Sequence, residues 1–170
     1  MENPIITALA ARVRRAGADP LVTWYRPADG ARTELSGRTF ANWVDKTANL
    51  LDALGVEGPI SAPLNLAHPG HWMSLVWPVA AWQHGCGYTV GVPEPSAAVA
   101  VVGPDRPEPV TGAITIACSL HPLGLGLRHL PEEVLDFTTE ALAESDAHWS
   151  VPVDPEALAW ADADRSLSHA

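Results

Sequence analysis

Cysteine, lysine and long apolar runs are all scarce in this chain of 170 residues. The two cysteines, Cys86 and Cys118, each lie beside apolar neighbours, which predicts buried thiols in a reducing cytoplasm rather than a disulfide framework. No run reaches the roughly 18 apolar residues of a membrane span, because Pro, Gly, His and Gln interrupt the longest one. The N-terminus has no apolar core preceded by positive charge, so we expect no signal peptide. These absences favour a cytoplasmic protein without membrane insertion.

Basic residues are outnumbered, with 10 Lys and Arg against 20 Asp and Glu, a formal net charge of −10. Such a surface repels nucleic acid and anionic membranes, so we expect neither as a partner. Nine of the basic residues are arginine, in a background rich in alanine and proline, which is typical of a high-GC bacterial genome. The single lysine, Lys46, lies on the polar side of a predicted helix, where we expect a solvated surface charge.

The length fits one domain with a sizeable core. We expect a single α/β domain over residues 1–150, followed by a loosely patterned C-terminal tail over residues 151–170. The tail, SVPVDPEALAWADADRSLSHA, shows neither a helical nor a strand repeat. Trp149 lies directly before the tail and Trp160 lies within it. If exposed, these two aromatic residues would suit a partner surface or self-association.

The first 55 residues predict two helices around a hairpin. A helix over 4–16 is followed by a strand at 21–25 and turn signals within 26–38. The next helix is predicted from an N-cap at Thr39 to a glycine stop at Gly55. Its apolar stripe repeats at the helical period and consists of Phe40, Trp43, Val44, Thr47, Leu50, Leu51 and Leu54.

The middle of the chain predicts a short strand, a buried helix and a second strand. Residues 59–66 suit an imperfect edge strand and residues 70–84 a mostly apolar helix. Pro78 should kink or break that helix, because its ring removes one backbone donor. Residues 87–92 then favour a strand, before a proline-rich turn at 93–95.

Two continuous apolar runs, 97–102 and 113–118, suit interior strands covered on both faces. Pro131 and the two glutamates after it favour a helix to about residue 144. The alternation of strands and helices therefore predicts an α/β fold, in which helices flank a layered, largely parallel β-sheet.

The order of these segments resembles the opening of the adenylate-forming superfamily, which includes acyl-CoA synthetases, peptide synthetase adenylation domains and luciferases. The matching stretches are 39–43 (TFANW), 54–56 (LGV), 67–69 (AHP) and 85–93 (GCGYTVGVP), and the likeness covers roughly residues 20–103. The resemblance implies that the sheet is part of the N-terminal domain of such an enzyme.

Within that superfamily the chain is more similar to a short, uncharacterised actinobacterial family related to the AMP-binding enzymes. The stretches ACSLHPLG and PVDP in the second half carry this likeness. The resemblance implies no established activity.

The departures from the superfamily pattern bear directly on activity. Its members hold ATP phosphates with a hydroxyl- and glycine-rich loop ending in Pro-Lys. The nearest candidate here, residues 122–128 (PLGLGLR), has neither the hydroxyls nor the lysine, and its glycines are more typical of a turn. We therefore expect a non-catalytic protein, with no cofactor, that binds a small ligand or a protein partner. The alternative is one component of a split or diverged adenylate-forming or acyl-CoA ligase enzyme.

Catalytic residues are hard to name from this sequence. Ser119 and His121 follow a predicted strand end, where α/β proteins place ligands, and an acidic partner such as Asp105 could complete a set. Cys118, directly after the apolar stretch AITIA, is more typical of a core thiol.

Seven histidines also raise a metal hypothesis. His68 and His71 could converge after a turn, and His84 with Cys86 could add imidazole and thiolate ligands. Their spacing matches no standard zinc signature, so the sequence predicts no metal site.

Overall fold

A computed structural model describes residues 3–91 and 96–170 of the chain. The helices are α1 (Pro4–Ala16), α2 (Gly37–Ala53), α3 (Pro63–Ala67), α4 (Trp72–His84) and α5 (Phe137–Ala143). The strands are β1 (Pro20–Arg26), β2 (Ala31–Ser36), β3 (Ile60–Ser61), β4 (Tyr88–Thr89), β5 (Val99–Val102), β6 (Ile114–Ala117), β7 (Val134–Asp136), β8 (Leu158–Ala161) and β9 (Ser166–Ser168). Across these ranges, none of the helices is long and apolar enough to cross a bilayer. The predicted turn at 93–95 and the end of the strand at 87–92 lie outside the described residues.

Among the described residues, seven strands form the main sheet, in the order β7-β6-β5-β3-β4-β8-β9. All neighbouring pairs are parallel except β8 and β9, which are antiparallel. Strands β1 and β2 form a separate antiparallel hairpin. The predicted α/β class with a largely parallel sheet and flanking helices is therefore confirmed.

The sheet is covered on both faces, as the continuous apolar runs predicted. All four residues of β5 are buried. Val101 belongs to the larger core, which α2 and α4 supply with Leu51, Trp72 and Trp77. Val102, next along the strand, instead joins a small cluster on the opposite face. Adjacent residues of a strand point to opposite faces, so each contributes to a different core.

Helix α2 begins three residues before the predicted start. Its N-cap is Ser36, whose Oγ accepts a hydrogen bond from the Thr39 amide at 3.1 Å, so the prediction that Thr39 is the cap was wrong. Gly55 has the left-handed conformation that the glycine stop predicted, with φ of 64°.

Pro78 neither breaks nor ends α4, which continues to His84. Proline cannot donate to the carbonyl four residues earlier, and here that carbonyl belongs to Ser74. The Asn65 side chain fills the gap, donating from Nδ2 to the Ser74 oxygen at 3.1 Å. A substitute donor therefore satisfies the acceptor and keeps the helix intact.

Two other local predictions were wrong. The strand expected over 59–66 is limited to β3, because Pro63 begins the short helix α3 rather than interrupting a strand. The helix expected from Pro131 is replaced by a turn and β7, and α5 begins only at Phe137. A proline followed by two glutamates indicates a helix start locally, but pairing with β6 extends the next residues instead.

The C-terminal stretch is more ordered than its weak pattern suggested. Strand β8 lies parallel to β4, and β9 lies antiparallel to β8. Trp82 of α4 donates from Nε1 to the Ala159 carbonyl at 2.7 Å, which joins β8 to the helical layer. Strands β8 and β9 are therefore part of the main sheet.

Candidate functional site

A cavity of about 340 Å³ lies beyond the carboxyl ends of β5 and β6. The chain leaves β5 after Val102 and reaches Asp105, and it leaves β6 after Ala117 and reaches Ser119. Ligands of open parallel sheets bind at this edge. The cavity is lined by Trp24, Arg26, His68, Gly70, His71, Pro104, Asp105, Ser119 and Leu120.

His68 and Asp105 form the polar pair of the cavity. His68 Nε2 lies 3.2 Å from Asp105 Oδ2, and both side chains are accessible to solvent, at 34% and 79%. A pair exposed to this degree stabilises the fold little. Both groups therefore remain accessible to a bound molecule.

His71, by contrast, is fixed in the cavity wall. Its Nδ1 accepts a hydrogen bond from the Met73 amide at 3.1 Å, which makes it the N-cap of α4. Burial lowers the pKa of His71 to about 4, so the imidazole is neutral at physiological pH. Its ring meets Trp24 edge-on, with the centroids 4.5 Å apart.

The hairpin supplies the positive charge. Arg26 donates to Asp29 through Nε and Nη2, at 2.8 and 2.6 Å, and lies over the Trp24 ring. The hydrogen bond from Arg26 lowers the pKa of Asp29 to about 2. Trp24 and Arg26 were not predicted as cavity residues, because nothing in the local sequence shows that the hairpin reaches the sheet edge.

Ser119 and His121, the catalytic candidates, are both engaged with the backbone. The Ser119 hydroxyl donates to the Leu125 carbonyl and accepts from the His121 amide. The His121 ring accepts from the Leu123 amide through Nδ1 at 3.1 Å. The structure places Ser119 and Asp105 on the same cavity, whereas the cavity lining does not include His121.

The two cysteines are free and buried, as predicted. Burial raises the pKa of the Cys86 thiol to about 11 and that of Cys118 to about 12. Trp77 also donates from Nε1 to the Cys118 sulfur at 3.3 Å. Both are therefore neutral thiols rather than nucleophilic thiolates.

Lys46 is not the solvated charge that its helix position suggested. Its side chain is 16% exposed, and Nζ lies 2.8 Å from Asp146 Oδ1 and donates to the Glu144 carbonyl. It therefore holds the segment after α5 against α2.

The glycines of residues 122–128 form a turn, as expected. Gly124 has φ of 69°, and its amide donates to the His121 carbonyl at 2.9 Å. A Cβ on Gly124 would lie 3.2 Å from the Trp72 ring. This turn therefore packs against the core through its glycine.

Solved structures similar to this chain include acyl-CoA synthetases and related ligases. ATP-bound MatB from Rhodopseudomonas palustris is 19% identical with a TM-score of 0.61, over 95% of this chain and 34% of that one. The acyl-CoA synthetase of Brucella canis is 18% identical with a TM-score of 0.62, over 85% and 28%. The anthranilate CoA ligase AuaEII, in complex with anthranoyl-AMP, is 11% identical with a TM-score of 0.65, over 91% and 31%. The chain thus has the fold of the N-terminal region of adenylate-forming enzymes.

Among curated proteins, the chain is similar to the TIGR03089 family protein of Mycobacterium tuberculosis strain H37Rv. The two are 32% identical over 135 residues, which are 75% of this chain and 54% of the relative. The chain therefore spans about half the length of this relative. No protein-family model matches the chain. The resemblance expected from the sequence, to an uncharacterised relative of the adenylate-forming enzymes, is confirmed.

Proposed function

We propose that this chain is a non-catalytic binding protein that holds a small molecule in the cavity beyond β5 and β6. The cavity itself carries the proposal, because its volume of about 340 Å³ falls at the lower end of ligand sites, about 300–1,000 Å³. Trp24 and Leu120 supply apolar wall, and His68, Asp105 and Ser119 supply polar groups. Such a mixture suits a small, partly flat molecule with a polar end.

The hydrogen bonding of the catalytic candidates supports a non-catalytic role. A serine nucleophile needs a base that takes its proton, and the Ser119 hydroxyl instead donates to a backbone carbonyl. Cys118 is wholly buried and protonated. The only lysine, Lys46, is engaged with Glu144 and Asp146. Each of these side chains therefore stabilises the fold and is not free to act as a nucleophile or to contact a phosphate.

The relatives suggest which molecules to test first. MatB was solved with ATP and AuaEII with anthranoyl-AMP. A shared fold does not imply a shared function, so we use these ligands only to select the molecules for binding tests. AMP, ATP and small aromatic carboxylates are the appropriate first set.

Gly70 offers a direct test, because a Cβ built there meets nothing within 4 Å. A Gly70→Trp variant should obstruct the cavity, because Gly70 lines it and has room for a Cβ, whereas Gly70→Ala should leave it open. Titration of ¹⁵N-labelled protein with the probe set should shift the amide resonances of His68, Asp105 and Ser119 in wild type and Gly70→Ala. Those shifts should disappear in Gly70→Trp.

Two results would overturn this proposal. One is unchanged binding in Gly70→Trp, or shifts that map away from the cavity. The other is pyrophosphate release from ATP and a carboxylate by the purified chain, since a non-catalytic protein has no such activity.

The alternative is that the chain is one component of a split or diverged adenylate-forming enzyme. The fold shared with acyl-CoA synthetases supports it. Native mass spectrometry of protein isolated from its own organism should then show a bound partner, and pyrophosphate release should require that partner. Loss of this release in His121→Ala would assign His121 to a diverged site, whereas a bare monomer would count against the alternative.

A further inference from the structure

Three distant residues meet where α2 and α4 end. Asp52 lies in the last turn of α2, His84 is the last residue of α4, and His148 follows α5. His84 Nδ1 lies 2.9 Å from Asp52 Oδ1, and His148 Nε2 lies 3.0 Å from Asp52 Oδ2. The two imidazoles therefore converge on one carboxylate.

The cluster is buried on the histidine side and open on the aspartate side. The His84 and His148 side chains are 9% and 4% exposed, whereas Asp52 is 53% exposed. Two desolvated imidazoles thus face a carboxylate that solvent can reach. This arrangement leaves an approach path for a small ion.

The tautomer of His84 makes its contact with Asp52 unusual. Its Nε2 lies 2.9 Å from the Val56 carbonyl, which can only accept, so Nε2 carries the proton. In the neutral ring Nδ1 then holds a lone pair, and it is buried with no hydrogen-bond partner in the described structure. This lone pair lies 2.9 Å from a carboxylate oxygen. Two electron-rich atoms at this distance need a positive centre beside them, either a proton or a metal ion.

His148 is held in place from both sides. Asn49 donates from Nδ2 to the Ser145 and Ala147 carbonyls, each at 3.0 Å. On the other side, the Val151 amide donates to the Gln83 carbonyl at 3.0 Å. Helices α2 and α4 therefore fix the backbone that carries His148, so its position does not depend on a bound ion.

We propose that Asp52, His84 and His148 bind a divalent transition-metal ion such as Zn²⁺. Two ligands about 2.1 Å from one ion lie about 3.0–3.4 Å apart at right or tetrahedral angles, close to the spacings found here. Imidazole favours such ions over Mg²⁺ and Ca²⁺, which prefer oxygen ligands. The Val56 carbonyl is the outer partner that orients a metal-binding histidine. Further coordination positions would face solvent beside Asp52.

The test uses untagged, chelator-treated protein titrated with Co²⁺ and Zn²⁺. We expect one Co²⁺ per chain with visible d–d absorption, and displacement of Co²⁺ by Zn²⁺. His148→Gln and Asp52→Asn should each weaken Zn²⁺ binding by at least about tenfold. The control His129→Gln changes an exposed histidine and should have no effect.

A second measurement needs no variant, so it still tests the proposal if a variant does not fold. It follows the histidine ring resonances of the wild-type protein by NMR. Zn²⁺ should shift the ring signals of His84 and His148 and leave those of His68 in place. Equal Zn²⁺ affinity in wild type and His148→Gln, or no shift of the His84 signal, would overturn the proposal and leave a protonated ion pair. A sulfur-to-cobalt charge-transfer band would also overturn it, because a cysteine thiolate would then be a ligand.

Discussion

Lys46 and Asp146 form an ion pair 2.8 Å long between α2 and the segment that follows α5. They are 100 positions apart, and the lysine also donates to the Glu144 carbonyl. The single lysine of the chain therefore helps to fix the backbone that leads to His148.

Replacing Lys46 should destabilise the fold and loosen this segment. Lys46→Met keeps the aliphatic stem but removes the donor, which should cost about 1–2 kcal/mol of unfolding free energy. Urea denaturation measures the change. Arg38→Ala, at an exposed position of the same helix, should stay within about 0.5 kcal/mol. Equal effects of the two variants would mean that the lysine contacts contribute nothing.

Acidification should destabilise the protein through His71. Its folded pKa of about 4 lies below the ordinary value of 6.5, so between these values the unfolded chain binds more protons. Unfolding free energy should therefore fall as pH drops from 6.5 to 4, by about 1–2 kcal/mol from this residue. Protonation also removes the acceptor that caps α4.

The His71→Asn variant isolates this contribution. Asparagine also caps helices but does not titrate, so the variant should show a flatter stability curve between pH 4 and 6.5. His129→Asn, at an exposed position, should leave the wild-type slope unchanged. An unaltered slope in His71→Asn would show that another group produces the pH dependence.

Capping of α2 can be tested with variants of Ser36 and Thr39. Ser36→Ala removes the oxygen that accepts from the Thr39 amide and should cost about 1 kcal/mol. Thr39→Ala leaves that acceptor in place and should cost less than about 0.5 kcal/mol. Thermal unfolding of both variants ranks them, and the reverse order would identify Thr39 as the cap.

The thiols should resist modification in the folded protein. Cys86 and Cys118 are buried with raised pKa values, so a thiol reagent at pH 8 should react only when the chain opens. Mass spectrometry after labelling should show unmodified wild type long after a Thr39→Cys control has reacted at its exposed position. Rapid labelling of wild type would mean that the core opens far more readily than its packing suggests.

The local sequence pattern predicted those helices and strands whose own residues show one clear hydrophobic pattern. Helix α2 has one continuous apolar stripe, and β5 and β6 are unbroken apolar runs, so each was identified from its own residues. Strands β7 and β8 are stabilised mainly by pairing with β6 and β4, which no local window contains. The turn before β7 even contains Pro131 and two glutamates, which are typical of the first turn of a helix. Tertiary pairing therefore overrode local preference at these places.

The cavity was predictable in part. Asp105 and Ser119 follow strands that end at the same edge, and this topology brings them together. His68 and Asp105 pair through side chains that were assigned to separate hypotheses, as metal ligand and as catalytic partner. The meeting of Asp52 and His148, 96 positions apart, depends on how one loop crosses α2, and no spacing in the sequence encodes it. The proposed metal site departs from the sequence-based expectation of none, and the cytoplasmic location stays a prediction.

The position of β8 next to β4 sets the order in which the chain can complete its sheet. One edge of β4 can pair only after the residues of β8, 158–161, have been synthesised. During synthesis the β3, β5 and β6 side can assemble first, while the exposed edge of β4 is open to other extended chains. We therefore expect that edge of β4 to stay unpaired until the segment that contains β8 has been synthesised.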